Sequence, residues 1–249
     1  MIRYFIRLAY NGTNYAGWQR QPNAPSVQQT LEEALSLILR QQIRITGCGR
    51  TDAGVHAKQY TAHFDAQGDL PPGLGSRLNK FLPADIVIYD ITPVADAAHA
   101  RFDAVHRAYE YRLTFQKNPF QRDTVWRYPA AGRPDLAKLN EAAELLLSYT
   151  EFFPFCKSNN DAKTMICTLY RSEWVAVPED NEYIFYIAAN RFLRGMVRLI
   201  VGMCLNVAAG KITLNQVRDA MEKQERLPKD WSVGAGGLYL TDIRYDITE

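Results

Sequence analysis

The chain has 249 residues, 47% of them hydrophobic, and carries 29 Lys and Arg against 27 Asp and Glu, for a net charge of +2. No apolar run approaches the roughly 18 residues needed to cross a membrane, and Arg3 and Arg7 break the N-terminal run, so neither anchor nor signal peptide is expected and the setting reads as cytoplasmic. Cys48, Cys156, Cys167 and Cys204 form no Cys-x-x-Cys pair, His56, His63, His99 and His106 form no His-Glu-x-x-His, and no phosphate-binding Gly-x-x-x-x-Gly-Lys-Ser/Thr loop is present. A disulfide framework, a zinc site and P-loop nucleotide chemistry therefore lack support.

Arg3 to Tyr10 reads as a strand, followed by the turn cluster Asn11-Gly12-Thr13-Asn14 and a loop from Tyr15 to Pro25. Ser26 with Gln29 is a capping-box pattern opening a helix whose apolar face is Val27, Leu31, Ala34 and Ile38. Strands are predicted near 43–48 and 59–65, a helix from Gly75 to Phe81 and a strand from Ile86 to Ile91. The second half repeats this order: a strand from Val105 to Phe115, a long loop, a helix from Asp135 to Ser148, and strands near 166–177 and 183–190. A strongly apolar helix is predicted from Leu193 to Ala209, stopping at Gly210, then a helix capped by Thr213 with Gln216, and a last strand from Leu238 to Tyr245. Each half matches the split βαββαβ arrangement, which makes the protein α+β. The two halves, 1–104 and 105–249, could share one mixed, mainly antiparallel sheet with helices packed on it.

Charge is unevenly spread. Between 101 and 133 stand Arg101, Arg107, Arg112, Lys117, Arg122, Arg127 and Arg133 against Asp103, Glu110 and Asp123, with Tyr109, Tyr111, Phe115, Phe120, Trp126 and Tyr128 interleaved. Cations mixed with aromatics suit phosphates and stacked bases; a solvated basic strand face is the plainer alternative. Within "CGRTDAGVHA" (48–57), Asp and Gly suit a tight turn, but Arg50 and Asp52 stand two apart, so that in an extended stretch they point the same way. An arginine beside an aspartate holds it ionised, which suits a nucleophile or base. In "NRFLRGMVRLIVG" (190–202), the spacing of Arg191, Arg194 and Arg198 predicts one helical face within the first two turns. The helix dipole disfavours cations there, so an anion should compensate. Arg198 is expected to be the buried one, with Asp52 as a candidate partner. His56 reads as a structural hydrogen-bonder, and Cys48 and Cys204 as small core residues.

Taken in order, "YAGWQRQ" (15–21), "GRTDAGVHA" (49–57), "LNKFLP" (78–83), "HARFDA" (99–104), "RAYEY" (107–111), "MVRLIVG" (196–202) and "GLYL" (237–240) resemble the A-type tRNA pseudouridine synthases, which act on the anticodon stem-loop. The resemblance implies isomerisation of uridine to pseudouridine at tRNA positions 38 to 40, without metal, nucleotide or organic cofactor, by a homodimer that binds tRNA. It implies two ferredoxin-like halves around a central cleft. It assigns Asp52 as the essential aspartate, Arg50 as its motif arginine, Tyr109 as the tyrosine that packs on the flipped uracil, Arg198 as the arginine paired with the aspartate, and Leu238 as an apolar wall. Lys58, Gln59 and Tyr60, and Arg194 with Gly195, depart from the pattern common among relatives. A non-catalytic RNA binder, or a hydrolase using Asp52, remain as other readings of the residues. The hydrolase would need a second acid, which the motif does not offer.

Overall fold

Alternation places the first strand. Along Ile2–Tyr10 (β1), Tyr4, Ile6, Leu8 and Tyr10 are buried on one face and Phe5 on the other. In the computed structural model, which describes residues 1–130, 132–157, 163–227 and 231–246, β1 runs through a short 3-10 turn and a loop into helix α1 (Val27–Leu39). Ser26 caps this helix, its side chain accepting from the Gln29 N–H at 3.2 Å. The Gln29 amide donates to Glu33 at 2.8 Å. Leu31 and Leu35 are fully buried, each contributing about 1.5–3 kcal/mol relative to exposure. Strands β2 (Ile45–Gly47) and β3 (His56–Ala66), helix α2 (Leu74–Phe81) and strand β4 (Ile86–Val94) follow.

The chain divides into two units, Met1–Val105 with Tyr239–Glu249, and His106–Leu238. In the first, β4, β1 and β3 pair antiparallel, with Ile6 between Ile91 and Ala62. The outer edge of β3 is shared. Strand β2 pairs with its Ala62–Phe64 end, and the last strand of the chain runs parallel to its His56–Ala57 end. The predicted order of strand, helix, strand, strand, helix, strand is therefore observed here. Asn79 of α2 brackets Ile88 of β4, donating to its carbonyl at 2.8 Å and accepting from its N–H at 2.7 Å.

The second unit starts within β5 (Ala104–Thr114) and continues with β6 (Trp126–Arg127), α3 (Leu136–Leu145), β7 (Leu169–Val177), β8 (Glu182–Ala189), α4 (Met196–Ala208) and α5 (Leu214–Lys223), before β9 (Leu238–Tyr245). Strands β5, β8 and β7 pair antiparallel, with Tyr109 opposite Ile187 and Tyr111 opposite Phe185. Asn140 of α3 brackets Trp174 of β7 at 3.0 and 2.7 Å, as Asn79 brackets Ile88. The capping box predicted for Thr213 and Gln216 is complete. Strand β6, parallel to β5, lies inside the region expected to be a long loop.

One expectation fails. The helix predicted from Leu193 begins at Met196. Gly195 takes φ +72°, a left-handed conformation that stops helix propagation towards the N-terminus. Arg191 and Arg194 therefore lie outside α4 and do not share a helical face with Arg198. Beyond Arg198 the helix is buried almost all round, from Ile200 to Leu205 and at Val207, as its apolar sequence requires.

Candidate active site

The loop carrying Asp52 joins β2 to β3 and is fixed from several directions. Cys48 N–H donates to the Thr61 carbonyl at 2.9 Å, and Val55 N–H closes the turn on the Asp52 carbonyl at 3.2 Å. Thr51 is buried, its hydroxyl 2.9 Å from that of Tyr10. Arg50 is exposed and Asp52 half-buried. The loop thus spends its backbone and its small residues on position, with the aspartate half-buried and the arginine exposed.

The "YAGWQRQ" segment is what holds this loop, a role that sequence reasoning missed. Gly54 N–H donates to Tyr15 O at 3.3 Å, and Trp18 N–H donates to Thr51 O at 3.3 Å. Gly17, at φ +93°, lies so close that a Cβ built on it would stand 2.2 Å from Thr51 O. Gly12 likewise leaves no room, with Val55 O 2.0 Å from where its Cβ would be. Trp18 is buried and stacks on Tyr60 at 4.0 Å, and the Tyr60 hydroxyl donates to the Gly49 carbonyl. Complete burial drives the Tyr60 hydroxyl well above the usual phenol range, so it stays a donor. Tyr60 is thus a support beneath the loop.

His56 is buried and its Nδ1 accepts from Gly12 N–H at 3.1 Å, the structural role expected of it. Its ring stacks on Tyr239 at 4.6 Å, and the Lys58 ammonium lies 5.3 Å from the same tyrosine's centroid.

In the second unit, Tyr109 and Tyr111 share one face of β5 and part company in environment. Tyr111 is fully buried and donates to Gly234 O at 2.8 Å. Burial raises its hydroxyl pKa, with the Arg198 guanidinium pulling the other way. Tyr109 is half-buried and meets Phe192 edge-to-face at 5.1 Å. A half-exposed ring that meets another aromatic edge-to-face can take a planar ligand. Arg198, in the first turn of α4, is half-buried and its Nε donates to Val233 O at 2.7 Å. Leu238 is buried at the start of β9. Val233 and Gly234, which receive Arg198 and Tyr111, also line a cavity of about 790 Å³ with Trp126, Asn206 and Trp231.

The basic stretch separates into two kinds of cation. Arg112 is structural: it donates to Glu182 at 2.8 and 3.0 Å, and the Glu182 side chain is fully buried. Arg107 donates to Asn190 O at 2.9 Å. Lys117, Arg122, Arg127 and Arg133 are exposed. Outside the stretch, Arg20 pairs with the buried Glu32 at 3.3 Å, so this arginine already has a carboxylate. All four cysteines are buried thiols outside any disulfide; burial pushes Cys167 to about 11 and Cys204 to about 12, so neither is a thiolate at neutral pH.

Comparison with known proteins identifies the family. A family model described as tRNA pseudouridine synthase matches residues 7–103 and 143–246. A tRNA pseudouridine synthase A of Porphyromonas gingivalis is 48% identical over 248 residues, covering 98% of each chain. Its namesake from Azobacteroides pseudotrichonymphae is 46% identical over 98% of this chain and 97% of its own. One from Limosilactobacillus fermentum is 35% identical over 99% of this chain and 97% of its own. The chain belongs to the tRNA pseudouridine synthase family.

Proposed function

We propose that this chain isomerises uridine to pseudouridine in the anticodon stem-loop of tRNA, with Asp52 as the nucleophile. The observation that carries the reading is the Asp52 loop: Tyr60, Thr51, Gly17 and Gly12 hold it rigidly, while its carboxylate stands half-buried. Immobilising a nucleophile in this way contributes to a barrier drop that favourable orientation can supply.

The reaction breaks the uridine N1–C1′ bond and joins C5 to C1′. The C5 hydrogen leaves as a proton and N1 takes one up, so nothing is oxidised and no water is consumed. Within the reading, Asp52 attacks C1′ or C6, or steadies a glycal. The resemblance assigns Arg198 and Arg50 as the arginines that accompany this carboxylate. The base must leave its stack at a cost of a few kcal/mol, and stacking on Tyr109 returns roughly 1–3 kcal/mol. Leu238 walls the base in, and the exposed cations of the basic stretch take phosphates. A homodimer in the cytoplasm completes the reading.

The test is tritium release from tRNA bearing 5-³H-uridine, with wild type and Asp52→Asn. Release by wild type alone, with tRNA still bound by the variant, is the expected result. Undiminished release by Asp52→Asn would overturn the role given to Asp52. Binding without release by either protein would favour a non-catalytic RNA binder.

A further inference from the structure

The segment 95–104, which contains the "HARFDA" motif, carries none of the roles above, yet it is among the most heavily tied pieces of the first unit. Arg3 donates to Ala98 O at 3.1 Å, and Tyr245 donates to Ala100 O at 2.7 Å. Ala100 N–H donates to His63 Nδ1 at 3.1 Å. His99 N–H donates to the Asp103 carboxylate at 2.7 Å, and Asp103 N–H returns to His99 O at 3.1 Å. The Nδ1 of His99 accepts from the N–H groups of both Arg101 and Phe102, at 3.1 and 3.3 Å.

All of this fixes one side chain in water. Phe102 is 74% exposed. Its ring rests on His99 at 4.2 Å; His99 meets His63 at 4.7 Å; His63 lies 6.4 Å from Phe5, which is buried in the sheet. The result is a ladder of rings from the core outwards, ending in an exposed phenyl. The Arg101 guanidinium stands 5.8 Å from the Phe102 centroid.

We infer that Phe102 is a base-stacking contact for the substrate RNA, with Arg101 serving the adjacent phosphate. The inference rests on the reading that the substrate is tRNA. A lone exposed hydrophobic side chain is ordinary and needs no explanation. A lone aromatic that the fold immobilises from below, beside a cation, is the arrangement that single-stranded nucleic acid recognition uses: a ring for any base and a charge for the backbone. Rigidity matters because an already ordered ring loses little freedom on binding. A protein partner is the poorer fit. The flanking residues, Arg101 and Asp103, are exposed and charged, whereas the centre of a protein interface is depleted in charge.

Phe102→Ala removes the ring and leaves the loop's backbone bonds in place, so the melting temperature should not move. The Kd and KM for tRNA should rise together, by about 5- to 150-fold for the loss of one stacked base. Phe102→Trp should restore affinity. Arg101→Gln should lower the slope of log affinity against log salt by about one. Leu37→Ala, at an exposed position of α1, is the control and should change nothing. A Phe102→Ala affinity within twofold of wild type overturns the inference. So does a variant whose self-association weakens in sedimentation while its affinity for tRNA stays the same, because the ring would then serve a second copy of the chain. Gel-shift affinities are read without turnover, so this result stands apart from the fate of the Asp52 assignment.

Discussion

Gly17→Ala is the sharpest perturbation of the Asp52 loop, although residue 17 is far from the loop in sequence. An alanine Cβ there would stand 2.2 Å from the Thr51 carbonyl oxygen, and ordinary contact begins at 3.4 Å. The obstacle is backbone, so the loop or the "YAGWQRQ" segment must retreat by the 1.2 Å difference. A misplacement of about 1 Å can cost roughly 100-fold in rate. The φ of +93° adds strain, of order 1–2 kcal/mol for a residue with a Cβ. In a chain of this size that lowers the melting temperature by about 2–4 °C for each kcal/mol. Gly49→Ala is the companion: although it lies inside the aspartate motif, its Cβ would meet nothing within 4 Å. That variant should stay within about 0.5 kcal/mol of wild type in stability. The assay is single-turnover tritium release at saturating tRNA, paired with thermal unfolding. A Gly17→Ala enzyme that turns over like wild type would refute the claim that this segment positions Asp52.

Two further perturbations test the packing. Arg112→Ala strands the buried Glu182 carboxylate, leaving Gln121 as a remaining partner at 3.0 Å; the expected loss in urea unfolding is about 3–5 kcal/mol. His63, lowered from 6.5 to about 4 by burial, then by His99 and Arg3, stays neutral in the fold where the unfolded chain would take a proton. Stability should therefore fall as pH drops from about 6.5 to about 4. Asp65, held below the usual carboxylate range by Arg3, adds a loss in the same direction at lower pH. His63→Asn should flatten the upper part of that profile in pH-dependent melting.

Much of the architecture follows from local pattern, and the departures have physical reasons. The last strand was legible to its end residues, because Leu238, Leu240 and Ile243 are buried beside turn-forming glycines. The start of α4 was not, because Leu193 and Met196 keep a helical spacing that runs straight past Gly195. A glycine's left-handed φ leaves no trace in the periodicity of its neighbours. The loop of Asp52 could be found from its own letters, but its supports could not. Thr51 and Gly17 meet across 34 positions, and Arg112 meets Glu182 across 70, so the residues on one side say nothing of the other. Phe120 and Phe102 look alike in sequence, both aromatics among cations; only the ring ladder beneath Phe102 separates them.

The divided edge of β3 bears on how the protein is made. Its His56–Ala57 end is closed by Tyr239 and Leu240, and Tyr245 anchors Ala100. On the ribosome, the first unit emerges with that edge uncovered, and residues 106–238 must be synthesised before its last strand exists. At about 5–20 residues per second this takes roughly 7 to 27 s. For that interval the nascent chain offers a bare strand edge, the kind of surface that recruits other strands. The Asp52 loop leads directly into that stretch of β3, and synthesis interrupted before Tyr239 would leave the strand edge beside it bare.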